Sequence, residues 1–73
     1  MDIFIKKYVT TQIIKELNKI GIKPNVISNY KTGRSKPKPK KLVHICFVIS
    51  VYTNIHIDDL IYDAVQHMTG DIQ

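Results

Sequence analysis

Seventy-three residues, 44% hydrophobic and 23% charged, allow one domain with one modest core; they are too few for a multi-layer enzyme fold and too apolar for a disordered chain. The single cysteine, Cys46, excludes an intrachain disulfide and a zinc site with several thiolates, and it fits a reducing compartment. The net charge of +5 is unevenly placed: Lys19, Lys23, Lys31, Arg34, Lys36, Lys38, Lys40 and Lys41 lie between Glu16 and Asp58 with no acid among them, whereas Asp58, Asp59, Asp63 and Asp71 follow without a lysine or arginine. Clustered cations of this kind displace counterions from a phosphate backbone, although a solvated lysine-rich loop accounts for the charge equally well.

In chain order, Asp2 opens a first short helix whose apolar face is expected from Ile3, Phe4, Tyr8 and Ile5. The run Met1 to Tyr8 lacks the long apolar segment of a signal peptide, and no stretch approaches the roughly 18 apolar residues of a membrane span. Val9 to Thr11 breaks the chain, and either Thr10 or Thr11 can cap a second helix by accepting a backbone N–H. Ile13, Ile14, Leu17 and Ile20 follow at spacings that put most of them on one side, and Gly21 ends the helix because it tolerates the left-handed conformation. Ile22 fills the inside of the turn.

Pro24, whose missing N–H would have no acceptor in a first turn, starts a third helix that runs to about Lys31. Ile27 and Tyr30, three apart, point inward, leaving Asn25, Ser28 and Asn29 outside, and Gly33 stops the helix. Arg34 to Lys41 reads as a loop because Pro37 and Pro39 are barred from a helix interior, although Pro39 can occupy the next first turn. Leu42, Ile45, Cys46, Ile49 and Tyr52 then recur near helical spacing to Thr53 or Asn54. Ile45 to Tyr52 is rich in residues that favour strands, but the apolar pattern continues for more than ten residues without a turn signal, which selects a helix. Asp58, Asp59, Leu60, Ile61, Ala64, Val65 and Met68 make a fifth helix, acidic in its first turn and ended by Gly70. The expectation is an all-α domain of five short helices over residues 1–73, with a short C-terminal tail.

The informative unit is the helix pair at about 11–32, joined by a glycine turn. Such a pair presents its second helix at an angle suited to a major groove. Asn25 and Asn29 offer the donor and acceptor that pair bidentately with adenine, and Ser28 can bond bases or phosphates. At Gly21, Ile27, Tyr30 and Gly33, and again at Ile55-His-Ile-Asp-Asp-Leu-Ile61, the chain resembles the Cro and CI-type helix-turn-helix family of phage repressors and bacterial regulators, the XRE family. The resemblance covers about Thr10 to Val65 and implies a compact lambda-repressor-like domain.

It further implies base reading by Pro24, Asn25, Ser28 and Asn29, where Pro24 can touch only a thymine methyl, and backbone contacts from Lys23, Lys31, Arg34, Lys36 and Lys38. Leu17, Gly21, Ile27, Tyr30 and Gly33 would form the structural core of the motif, Leu17 standing where the family usually has a small alanine. Lys40 and Lys41 sit at a helix start, where the dipole does not favour them, so a phosphate partner would help to explain them. Phe47, Tyr52 and Tyr62 are candidates for a homodimer seam.

The expected function is sequence-specific binding of double-stranded DNA by a small transcriptional regulator, a repressor occupying an operator, in the cytoplasm and on the nucleoid when bound. The rival is a protein-interaction module such as an antitoxin or antirepressor-like subunit. An enzyme is not expected, since no coherent catalytic set or phosphate loop is present. Neither a cofactor nor a small-molecule ligand is evident, and His44, His56 and His67 are too scattered for a metal site.

Overall fold

The computed structural model describes residues 1–69, which form five helices and no strand: α1 Asp2–Tyr8, α2 Thr11–Lys19, α3 Pro24–Thr32, α4 Pro39–Thr53 and α5 Ile57–Thr69. Local chemistry sets the boundaries. Thr10, in extended backbone, caps α2 with its hydroxyl accepting the Ile13 N–H at 3.4 Å. Pro24 and Pro39 stand in the first turns of α3 and α4, where no N–H is needed.

Helices α2 and α3 end alike. Gly21 (φ 95°) lets the Ile22 N–H donate to the Leu17 carbonyl at 3.0 Å and its own N–H to Asn18 at 3.1 Å. Gly33 (φ 83°) sends the Arg34 N–H to Asn29 at 3.0 Å and its own to Tyr30 at 3.3 Å. These are paired Schellman bonds, which satisfy carbonyls the helix leaves open. After α2 the motif gains its usual apolar contact, since Leu17 and Ile22 are both buried. After α3 the corresponding residues are the polar Asn29 and Arg34, and the chain runs on over the surface. Asn54 ends α4 in the left-handed conformation (φ 62°).

The core contains Phe4 and Ile5 of α1, Ile13 and Leu17 of α2, Ile22, Ile27 and Tyr30 around α3, Leu42, Ile45, Cys46 and Ile49 of α4, and Leu60 and Ala64 of α5. Burying each large aliphatic or aromatic side chain among these contributes about 1.5–3 kcal/mol. Helix α4 packs most extensively on α5 and also on α2, while α3 rests on α1 and α2. Asp63 ties α1 to α5: the Tyr8 hydroxyl donates to its carboxylate at 2.8 Å, Lys7 Nζ lies 3.7 Å away and His67 Nε2 3.3 Å away.

Several expectations are corrected. Ile3 is 64% exposed, whereas Ile5 is buried with Phe4; Ile3 and Ile5 stand 200° apart on the helix, so one buried face does not hold both. Ile20 lies past the end of α2 and is exposed. Tyr52 is exposed as well, lining a surface groove with Glu16 of α2 instead of entering the core. Val65 is partly exposed, Ile61 half-buried, and α5 begins one residue before Asp58. Gly70, the expected stop of α5, and the Met68 side chain lie outside the described residues.

Candidate nucleic-acid interface

Helix α3 buries Ile27 and Tyr30 and turns Pro24, Asn25, Ser28 and Thr32 to solvent. One face of the helix is therefore polar, without an acid, and free of the core. Asn29 is half-buried instead of fully outside, because the chain leaving Gly33 doubles back past it. Its carbonyl accepts from the Arg34 N–H, the Ser35 N–H (3.4 Å) and the Thr32 hydroxyl (3.3 Å). These bonds engage the backbone of Asn29 and leave the carboxamide to other partners.

The segment 35–38 has no regular structure, and its exposure alternates: Lys36 outward, Pro37 buried, Lys38 outward. Pro37 is buried while the lysines on either side stand in water, which pins the arm to the body of the domain between them. The arm and the first turn of α4 enclose a groove of about 460 Å³ against α3, lined by Val26, Asn29, Tyr30, Ser35, Lys36, Lys38, Lys40 and Lys41. Of the residues expected from sequence, Asn29, Lys36 and Lys38 are thus brought together. Lys40 and Lys41, which position along the chain left open, join them.

The remaining candidates sit elsewhere on α3. Lys23 occupies its N-cap and Arg34 the exposed turn beyond Gly33. Lys31 is on the opposite edge from Asn29, lining a separate cleft with Met1, Asp2, Ile3, Thr32, Gly33 and His67. It is 200° from Asn29 around the helix, so one groove cannot hold both.

Helix ends add to the electrostatics. Helices α1 and α5 carry acids in their first turns, as the macrodipole favours, and α2 is capped by Thr10. Helices α3 and α4 have lysine at the N-cap, proline next, no acid in the first turn and no side-chain cap. Each leaves a positive helix end beside a lysine, an arrangement that an anion relieves. Among the described residues the lysine ion pairs take Lys6, Lys7 and Lys19, with Asp2, Asp63 and Glu16. None involves Lys23, Lys31, Arg34, Lys36, Lys38, Lys40 or Lys41.

The motif core is placed as expected: Leu17, Ile27 and Tyr30 are buried, and Gly21 and Gly33 adopt positive φ. Burial pushes the Tyr30 hydroxyl and the Cys46 thiol up, the latter to about 11. Among the described residues no three His, Cys, Asp or Glu side chains gather as metal ligands would, and no helix is long and apolar enough to cross a membrane.

Of the dimer candidates, Phe47 and Tyr52 share an apolar groove of about 340 Å³ with Ile20, Val48 and Val51, rimmed by Glu16 and Lys19. Tyr62 is exposed outside it. Comparison of the chain with protein-family models, curated proteins and solved structures finds no match.

Proposed function

We propose that this chain binds double-stranded DNA through α3 as a small transcriptional regulator related to the Cro and CI-type helix-turn-helix proteins. The carrying observation is the juxtaposition at α3: an acid-free outer face with Asn25, Ser28 and Asn29, bordered on the Asn29 side by Lys36, Lys38, Lys40 and Lys41. The amides supply paired donors and acceptors for base edges, Asn to adenine above all. The cations and the two open helix ends hold phosphates, which sets register and supplies affinity without choosing a sequence.

A nine-residue helix such as α3 is only about 14 Å long and touches few base pairs. Two chains on an inverted repeat give the contacts that specific affinity requires, so the protein acts as a homodimer. Steric occupation of an operator is the mechanism, and repression its outcome.

Selection of binding sites from a random duplex library at near-physiological salt tests this reading. Enrichment of an inverted repeat is expected, with the preference lost in Asn25→Ala and Asn29→Ala. Neither substitution removes a core side chain, so both variants keep the fold. Recovery of no motif would refute sequence-specific binding and leave the apolar groove of α2 and α4 as the mark of a protein-interaction module.

A further inference from the structure

The outer face of α4 carries one straight stripe: Lys40, Val43, Phe47, Val51 and Asn54, spaced three or four apart and all exposed. At 100° per residue they fall within 40° of Phe47 on either side. Phe47 and Val51 are each 58% exposed, an unusual composition for a face turned to water on so short a chain.

The stripe is symmetric about Phe47. Val43 and Val51 stand four residues before and after it, and Lys40 and Asn54 seven before and after. A surface of this kind fits a second copy of itself running the opposite way, because a two-fold contact requires that each residue meet its counterpart reciprocally. With the axis at Phe47, the two phenyl rings meet, Val43 lies on the partner's Val51, and Lys40 reaches the partner's Asn54.

Charge agrees with that register. The last turn of α4 has no basic residue, so the negative end of its dipole is open, and a cation from the facing chain is favoured there. Size agrees as well. The exposed apolar parts of Ile20, Val43, Phe47, Val51 and Tyr52 amount to about 450 Å² per chain, more than half of the roughly 800 Å² per partner that a stable interface covers.

We infer that the homodimer forms by antiparallel packing of α4 on α4 about a two-fold axis at Phe47, with the groove of Ile20 and Tyr52 completing the seam. This rests on the dimeric reading above and specifies its face. The axis sets the two Lys40 positions about 21 Å apart along the seam at 1.5 Å per residue, so the α3 grooves lie toward its opposite ends.

Sedimentation equilibrium decides the matter. The wild-type chain is expected at twice its 8.4 kDa, with Phe47→Lys and Phe47→Glu each weakening dimerisation at least tenfold, since like charges then meet at the axis. An equimolar mixture of these two variants is expected to dimerise again. Val43→Lys and Val51→Glu are each expected to weaken the dimer, and their combination in one chain to restore it, because the two sites lie too far apart within a chain to pair. Far-UV circular dichroism establishes that each variant is folded.

A wild-type chain that stays monomeric to several hundred micromolar would overturn the seam, as would a dimer indifferent to Phe47→Lys or a mixture that stays monomeric. Dimerisation with this pattern but no selected DNA motif would uphold the seam and overturn the DNA reading alone. Selection of an inverted repeat by a dimer indifferent to Phe47→Lys would do the reverse.

Discussion

Replacing Lys38 and Lys41 together by glutamine separates a phosphate-binding groove from a merely charged surface. Both lysines are exposed, line the groove against Asn29 and Tyr30, and form no ion pair among the described residues. Each phosphate contact contributes about −0.9 to the slope of log K against log salt concentration. The double variant is therefore expected to flatten that slope by about 1.8 per bound chain. Between 50 and 200 mM salt, a fourfold change, the wild type should lose about 12-fold more affinity than the variant for every chain bound.

Fluorescence anisotropy with a labelled duplex of arbitrary sequence, titrated at several KCl concentrations, reads the slope without knowledge of an operator. Lys6→Gln and Lys19→Gln are the controls, since these lysines pair with Asp2 and Glu16, and each should leave the slope within about 0.3 of wild type. An unchanged slope in the double variant would refute phosphate contact in this groove. A slope reduced equally by the controls would show attraction by net charge alone.

Gly21→Ala should cost about 1–2 kcal/mol, read from the urea midpoint, because its φ is 95° while a Cβ there would meet nothing within 4 Å; Gly21→Asn should cost less. Asp63→Ala should destabilise by about 1.5–3 kcal/mol, as expected for a hydrogen bond to a charged group, and a double-mutant cycle with Tyr8→Phe should show coupling across the 2.8 Å bond. Cys46, whose thiol burial pushes up to about 11, should be inert to Ellman's reagent at pH 8 in the folded chain and react on unfolding. The same shift has a sign: the unfolded thiol releases its proton first, so stability should fall as pH rises from 9.0 through about 11. Cys46→Ala should flatten that alkaline limb in pH-dependent urea titrations.

Helix ends were the most legible part of the sequence because each is decided by one residue's own chemistry. Thr10, Gly21, Pro24, Gly33 and Pro39 act as read, and Ile13, Leu17, Ile27 and Ile49 reach the core through local periodicity. Periodicity gives an angle around a helix and does not say what covers that angle. Ile3, Ile20 and Tyr52 are apolar residues at the edges or ends of stripes, and no neighbouring element covers them. The groove was less legible for the same reason. That Lys40 and Lys41 line a groove with Asn29 depends on how the arm after Gly33 folds back, a path fixed by the bonds of the Arg34 and Ser35 N–H groups to Asn29 and by the burial of Pro37. A proline between lysines is the signal the sequence offers, and local propensity speaks only to its exclusion from a helix, not to its burial.

Pro37 also decides when the entropy of ordering is spent. A lysine arm that hung free would lose its backbone freedom on meeting DNA, at about 1–2 kcal/mol for each residue immobilised. With Pro37 buried, that loss belongs to folding, and Lys36 and Lys38 arrive at a phosphate already spaced. On the DNA-binding reading, the strength of the arm is set by apolar contacts that never touch the ligand, and loosening the proline would weaken binding with every charge still in place.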